Sequence, residues 1–360
     1  MSPRRRASGP RVSTGDAGLD AVEAVRAALA PEPERLVLEA RGFRWWPHAH
    51  ALDVWAEPPR ADGASRVVAE TPILAHATGS ERGTGAEFAA LARRNAREPG
   101  LSSLRWNGER GEVSLRASVI ARPGDGGAAA RALAHAALLQ VGEALLAADA
   151  LAVELPAARL LASAPPDGRA RAAAEQVEAW RAYAMGAAAR ARDVEEAVAR
   201  LRALAPAPWV RVTHAAHGLD AELASEAGHE AAPHAARALL RVSARQPHPR
   251  LGAGLVTALV PPAALEPDPA RAAATAALLN EGEAREWTGV DALGGWCVHP
   301  SAGLTHVSFV PALALEPETA ERLAWQAGTR ARWAAAFLGH AAASRGDVTG
   351  GGSAGAPPRG

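Results

Sequence analysis

The chain has 360 residues, of which 48% are hydrophobic and 22% charged, a composition of folded domains with sizeable cores rather than of disordered polymer. Its 39 basic and 39 acidic residues cancel, which removes a general attraction to nucleic acid or to an anionic membrane surface. No lysine occurs, so a Schiff-base lysine, a phosphate-loop lysine and a Ser–Lys dyad are all excluded.

Residues 1–16 are polar and rich in Gly, Pro and Ser, and read as a disordered tail. Arg4–Arg6 is not followed by the apolar stretch of a twin-arginine signal. No apolar run approaches the ~18 residues of a membrane span, so a cytoplasmic protein without a membrane partner is expected. The first unit is expected over 17–155. Leu19, Val22, Val25 and Leu29 give an amphipathic helix that stops at Pro31. Three strand regions follow, at 36–46, 51–55 and 66–69, with a turn through Pro58–Gly63. Gly79–Gly85 is a loop with Thr84 as helix cap. Phe88–Asn95 then reads as a short helix, Leu104–Trp106 and Val113–Val119 as a hairpin, and Arg131–Ala148 as a long helix.

Pro156, Pro165, Pro166 and Gly168 mark a boundary, and Arg169–Leu204 reads as a linker helix, giving a linker region over 156–207. A second unit is expected over 208–342. Its strands are 209–212, 238–242 and 255–260, while 214–236 fits poorly, with Gly218–Leu223 a candidate strand inside a loop. Asp268 before Pro269 caps a short helix. A hairpin at Trp296–Val298 and Leu304–Phe309 follows, then a helix opened by Glu316-Pro317-Glu318. Residues 343–360 read as a Gly-rich tail.

Residues 87–150 and 270–342 thus carry the same order of elements. The expected fold is α+β: two tandem copies of a helix–three strands–helix–two strands–helix unit, with antiparallel sheets flanked by helices. A duplicated unit is a scaffold used twice, each copy supplying a face for the other to bury.

Asn occurs only at 95, 107 and 280 and Tyr only at 183, while Ala, Gly, Pro and Arg abound, the signature of a GC-rich bacterial genome. Arg is therefore read as partly a mutational default. Arg4–Arg6 and Arg190, Arg192, Arg200 and Arg202 are interspersed with Glu178, Glu195 and Glu196, which argues against a nucleic-acid partner. Cys297 is alone, so it forms no intramolecular disulfide, and it reads as a buried apolar side chain.

The motifs for chemistry are weak. His48 and His50 alternate on one strand face, His214 and His217 flank two alanines, and His229 and His234 stand at i, i+5 where a shared helix face needs i, i+4. No carboxylate pair has a spacing that implies acid–base work. No catalytic residue, metal or cofactor is expected. Aromatic density is the more informative signal. Trp45, Trp46 and Trp55 cluster, adjacent Trp45 and Trp46 point to opposite sheet faces, and one of them must meet a covering element or a partner.

The hairpin Leu104–Trp106 and Val113–Val119 with its following helix, together with Trp296–Val298 and Val307–Val310 with the helix Glu321–Phe337, resembles the YbjN-like superfamily and the type III secretion chaperone fold it shares. The resemblance implies a non-catalytic, peptide-binding, chaperone-like module whose duplication forms an internal pseudo-dimer. Expected contacts to a protein or peptide partner are Trp45, Trp46, Trp55, Trp106 and Trp296. The alternative expectation is an enzyme or sensor for a metal or small ligand, with a pocket between the units lined by His48, His50, His214 or His217.

Overall fold

The computed structural model of the chain describes residues 15–76, 85–125, 127–155, 158–166, 168, 194–196, 198–199, 210–215, 218–223, 238–243, 248, 251, 253–261, 268–315, 322 and 325–338. The tails, the Gly79–Thr84 loop, most of the linker helix, His217, His229 and His234 lie outside these residues.

Helix α1 (Ala17–Leu29) starts where the sequence places it. The Asp16 carboxylate accepts the amide protons of Gly18 and Leu19 at 2.9 and 3.1 Å, and Pro31 follows its end. Strands β1 (Leu36–Glu39), β2 (Gly42–Trp45), β3 (Leu52–Ala56) and β4 (Ser65–His76) form an antiparallel meander. Helix α2 (Gly85–Arg97) leads to the hairpin β5 (Ser103–Asn107) and β6 (Glu112–Ala121), then to α3 (Ala128–Glu154). The first sheet has the order β1-β2-β3-β4-β6-β5, and β7 (Ala158–Leu160) adds to the end of β4.

The second sheet is built from β8 (Val210–Ala215), β9 (Gly218–Leu223), β10 (Ala238–Ser243), β11 (Gly254–Val260), β12 (Gly295–His299) and β13 (Gly303–Pro311). Its order is β12-β13-β11-β10-β9-β8. Helix α4 (Pro269–Arg285) connects β11 to the hairpin, and residues 325–338 form a closing helix, α5. The protein is α+β with antiparallel sheets.

Among the described residues, four strands precede the hairpin in each sheet, where three were expected. The region 36–46 is two strands of four residues, separated by Ala40-Arg41, a pair without the Asn or Gly that usually announces a tight turn. Gly42 supplies the close approach instead, because a Cβ there would stand 2.2 Å from the Val54 carbonyl oxygen. Gly218–Leu223 is a full strand, and 224–236 lie outside the described residues.

One face of the first sheet is apolar and carries Phe43, Trp45, Leu52, Val54, Val67, Ala69, Ala117 and Val119 into a core with α1 and α3. Helix α3 contains a window of mean hydropathy 1.6, long and apolar enough to cross a membrane by composition, contrary to the sequence expectation. Alanines supply that hydropathy. Ala129, Ala136, Ala137 and Ala144 are fully buried, and their small side chains let the helix press onto the sheet it covers. Leu251, Phe309 and Val310 from the second half join the same core.

The halves also meet through backbone. The Ser118 amide donates to Ala292 O (3.1 Å) and the Ala292 amide to Ser118 O (2.8 Å), while the Phe309 amide donates to Gly100 O (3.2 Å) and the Gly294 amide to Leu101 O (2.9 Å).

Candidate functional site

The second face of the first sheet is polar. Along β6, Ser114, Arg116 and Ser118 alternate with Val113, Leu115 and Ala117; along β4, Arg66 and Glu70 share the face, and β5 adds Ser103 and Arg105. This polar face meets the C-terminal end of α4 and the segment after it. Arg66 Nη1 donates to Ala284 O at 2.6 Å and its Nη2 to Glu286 O; Arg105 Nη1 donates to Asn280 O at 2.6 Å; Arg122 Nη2 donates to Gly289 O at 3.2 Å. A helix C-terminus carries partial negative charge on its last carbonyls, so guanidinium groups are its natural complement. Trp287 lies between Arg60 and Arg66, 4.8 and 5.8 Å from its ring centre.

Beside this contact is a polar cleft of about 200 Å³, lined among others by Glu70, Arg105, Trp106, Ser114, Arg116 and Arg285. Ser114 Oγ donates to Glu70 Oε1 (2.6 Å) and Arg116 Nη1 to Glu70 Oε2 (3.2 Å). Arg116 stands over the ring of Trp55 at 5.4 Å. At the mouth Arg285 pairs with Glu281 (2.8 Å) and Glu109 (3.5 Å). Behind the cleft, Glu283 is fully buried and takes Arg330 Nε (2.7 Å) and Trp296 Nε1 (3.2 Å) on one oxygen. Asp291 accepts the Ile120 amide (2.8 Å) and Gln326 Nε2 (2.7 Å) and pairs with Arg322, which ties β6 to α5.

The sequence-predicted tryptophans divide. Trp296 is fully buried, and its backbone is held by Asn280. Trp45 lies in the α1/α3 core with its indole N–H on Glu32 (3.1 Å). Trp46 faces the other way and is met by a covering segment: its indole N–H donates to Ser163 Oγ at 2.9 Å, and the Ser163 amide donates to Ala49 O at 2.8 Å. All three are buried in the folded chain and present little surface, unlike the other two tryptophans of the expected contact set. Trp55 and Trp106 are half-buried and border the polar face and its cleft. Trp325 on α5 is exposed, while Trp333 and Phe337 pack against the second core.

Of the histidines expected to line an inter-unit pocket, His48 and His50 do not serve that role. His48 and His50 lie in a bend rather than a strand, and both are buried. His48 Nδ1 accepts the His50 amide proton (3.0 Å), so Nε2 carries the hydrogen and donates to Val141 O (2.8 Å); His50 Nδ1 bonds Leu161 O (2.7 Å). Both ring nitrogens of His48 are thereby committed. Burial pushes the His48 pKa down to about 4 and lowers that of His50. His306 is buried with an Nε2 that makes no hydrogen bond, and burial with Arg330 and Arg105 nearby holds it well below its ordinary value. Cys297 is buried as expected and its thiol is pushed up to about 12, which makes it inert. Among the described residues, no group of three or more His, Cys, Asp or Glu could hold a metal ion.

Sequence reading missed Arg66, Arg105, Arg116 and Glu283. The signal was present as polar residues at every second position of β6, but arginine had been discounted as a compositional default. Comparison with protein-family models, curated proteins and solved structures gives no match.

Proposed function

We propose that this chain is a non-catalytic polypeptide-binding module of YbjN-like, chaperone-like character, built as an internal pseudo-dimer of two units. The observation that carries the reading is a reciprocal exchange at equivalent places. Ser118 on β6 bonds Ala292, just before β12, and Phe309 on β13 bonds Gly100, just before β5. Aligning the hairpins on Leu104 and Trp296 makes Gly100 equivalent to Ala292, and, because the second turn is one residue shorter, Ser118 equivalent to Phe309. Contact in which a patch meets its own counterpart is the hallmark of a two-fold interface.

The asparagines support the same reading. Asn95 on α2 accepts the Leu104 amide proton (2.9 Å) and donates to Leu104 O (3.0 Å). Asn280 on α4 does the same with Trp296, at 2.8 and 2.9 Å. The two strand orders also run alike: four meandering strands, with the hairpin's second strand paired to the fourth. A pseudo-dimer whose units differ in surface presents an asymmetric cleft between them, suited to holding one partner segment in one direction. Half-buried Trp106 and Trp55 supply rigid amphipathic contact area there.

A photo-crosslinking residue placed at half-buried Asn107→X, beside Trp106, tests the reading in extracts of the source cell. Discrete polypeptide adducts at that position, and none at Asp125→X on a remote turn, are expected. Small-molecule turnover by the purified chain with no adduct at Asn107 would overturn the proposal.

A further inference from the structure

Arg105 is the charge least provided for in this fold. Its side chain is 4% exposed. Nε donates to Ser103 Oγ at 2.8 Å and Nη1 to Asn280 O, but buried Nη2 makes no hydrogen bond. The nearest carboxylate oxygen, Glu283 Oε2, is 3.9 Å away, and Glu283 already serves Arg330 and Trp296. Two buried guanidinium groups therefore share one carboxylate. Removing a charge from water is costly unless a counter-charge meets it, and burial holds Arg105 down to about 10. Arg116 beside it has a buried Nε that also makes no hydrogen bond. Both side chains line the 200 Å³ cleft.

We propose that the cleft between the two halves binds a carboxylate group, set against Arg105 and Arg116 and walled by Trp106. The carboxylates that face it are already engaged: Glu70 by Ser114 and Arg116, Glu281 and Glu109 by Arg285. A planar two-oxygen acceptor matches the guanidinium fork better than a point charge does. The cleft exceeds the ~150 Å³ that accommodates a benzene ring, which is room for one terminal residue rather than a long segment. Resting on the polypeptide-binding reading, the source of the group is the C-terminal carboxylate of a partner chain.

Titration calorimetry on the full chain tests this with acetyl-Ala-Ala-Ala as the free acid, the same peptide as its C-terminal amide, N-acetylalanine and inorganic phosphate. The free acid is expected to bind at least about tenfold more tightly than the amide. Arg105→Gln leaves Glu283 with less counter-charge and tests folding as much as binding, so Arg116→Gln is the decisive variant. It should lose the acid-over-amide preference while its circular dichroism spectrum is unchanged. Equal affinity for acid and amide, no binding of either, an unaffected Arg116→Gln variant, or phosphate binding with the acids failing would each overturn the carboxylate site. The crosslinking result would then still decide the broader reading. Binding of N-acetylalanine with exclusion of the tripeptide would uphold the carboxylate site and overturn its polypeptide source.

Discussion

Asn95 and Asn280 each close the gap between a helix and the first strand of the following hairpin with one donated and one accepted hydrogen bond. An amide side chain carries its donor and acceptor side by side, matched to the N–H and C=O of one backbone residue. In a chain with three asparagines, two occupy this position, while Asn107 ends β5 and accepts the Arg110 amide proton across the hairpin turn. Asn280→Ala would leave the buried amide and carbonyl of Trp296 unsatisfied, at a cost of about 3 kcal/mol. Asn95→Ala is expected to cost a similar amount and Asn107→Ala under about 1 kcal/mol. Urea unfolding of the three variants checks this; an Asn280→Ala midpoint close to that of Asn107→Ala would refute the assignment. His48 gives a second residue-scale expectation. Its folded pKa is about 4 against 6.5 unfolded, so the unfolded chain binds the proton first as pH falls. The associated stability is fully present above pH 6.5 and is lost toward pH 4, by about 3 kcal/mol across that window. His50 and His306, also lowered, act in the same sense. The stability of His48→Gln should therefore vary less between pH 7 and 4.5 than that of the parent chain. Parallel curves would show that the buried imidazole does not govern the acid limb.

At the scale of elements, legibility followed local chemistry. Helix α1 was readable from an Asp cap, a 3.6-residue apolar period and a Pro stop, and α4 from Asp268, whose carboxylate accepts the Ala270 amide at 2.9 Å. The hairpins were readable from apolar runs around polar turns. The strand count was not, because the Ala40-Arg41 turn carries no turn residue, and the membrane-length hydropathy of α3 was hidden in alanine. The tryptophans misled because the residue type is enriched both in cores and at interfaces, and only burial separates the two. Arginines misled in the opposite direction. A default codon choice can still be a buried partner, and alternation with apolar residues along β6 was the better guide. Gly294 shows how tightly the crossing between halves is set. It has φ +91°, and a Cβ there would lie 2.4 Å from both the Val307 carbonyl oxygen and the Ser308 Cβ. Gly294→Ala must distort both the backbone and the Leu101 contact, and is expected to destabilise by about 2–3 kcal/mol. Gly85→Ala, where a Cβ meets open space, serves as the control. Comparable melting temperatures for the two variants would contradict this account.

At the scale of the molecule, the halves are joined by a shared core, reciprocal backbone bonds and a buried charge cluster, so they should unfold together. Leu251, Phe309 and Val310 belong to the core of the first half, and Glu283 and Asp291 receive groups from both. The parent chain is expected to show one urea transition, coincident by tryptophan fluorescence and far-ultraviolet circular dichroism. Glu283 is the sharpest test of that coupling, because it is the carboxylate nearest to both Arg105 of β5 and Arg330 of α5. Glu283→Gln keeps size and some hydrogen bonding but removes the counter-charge of two buried guanidinium groups. Breaking a buried ionic cluster by deleting one member costs about 3–5 kcal/mol, whereas replacing the whole cluster with apolar residues of similar volume is near neutral. Glu283→Gln should therefore lower stability by about 3–5 kcal/mol, and Glu283→Met combined with Arg105→Met and Arg330→Met should recover most of that loss. If the cluster sets how the halves register, the triple variant will unfold in two separated transitions even where its total stability is regained. A single sharp transition in the triple variant would assign the register to the apolar core and the backbone exchange alone.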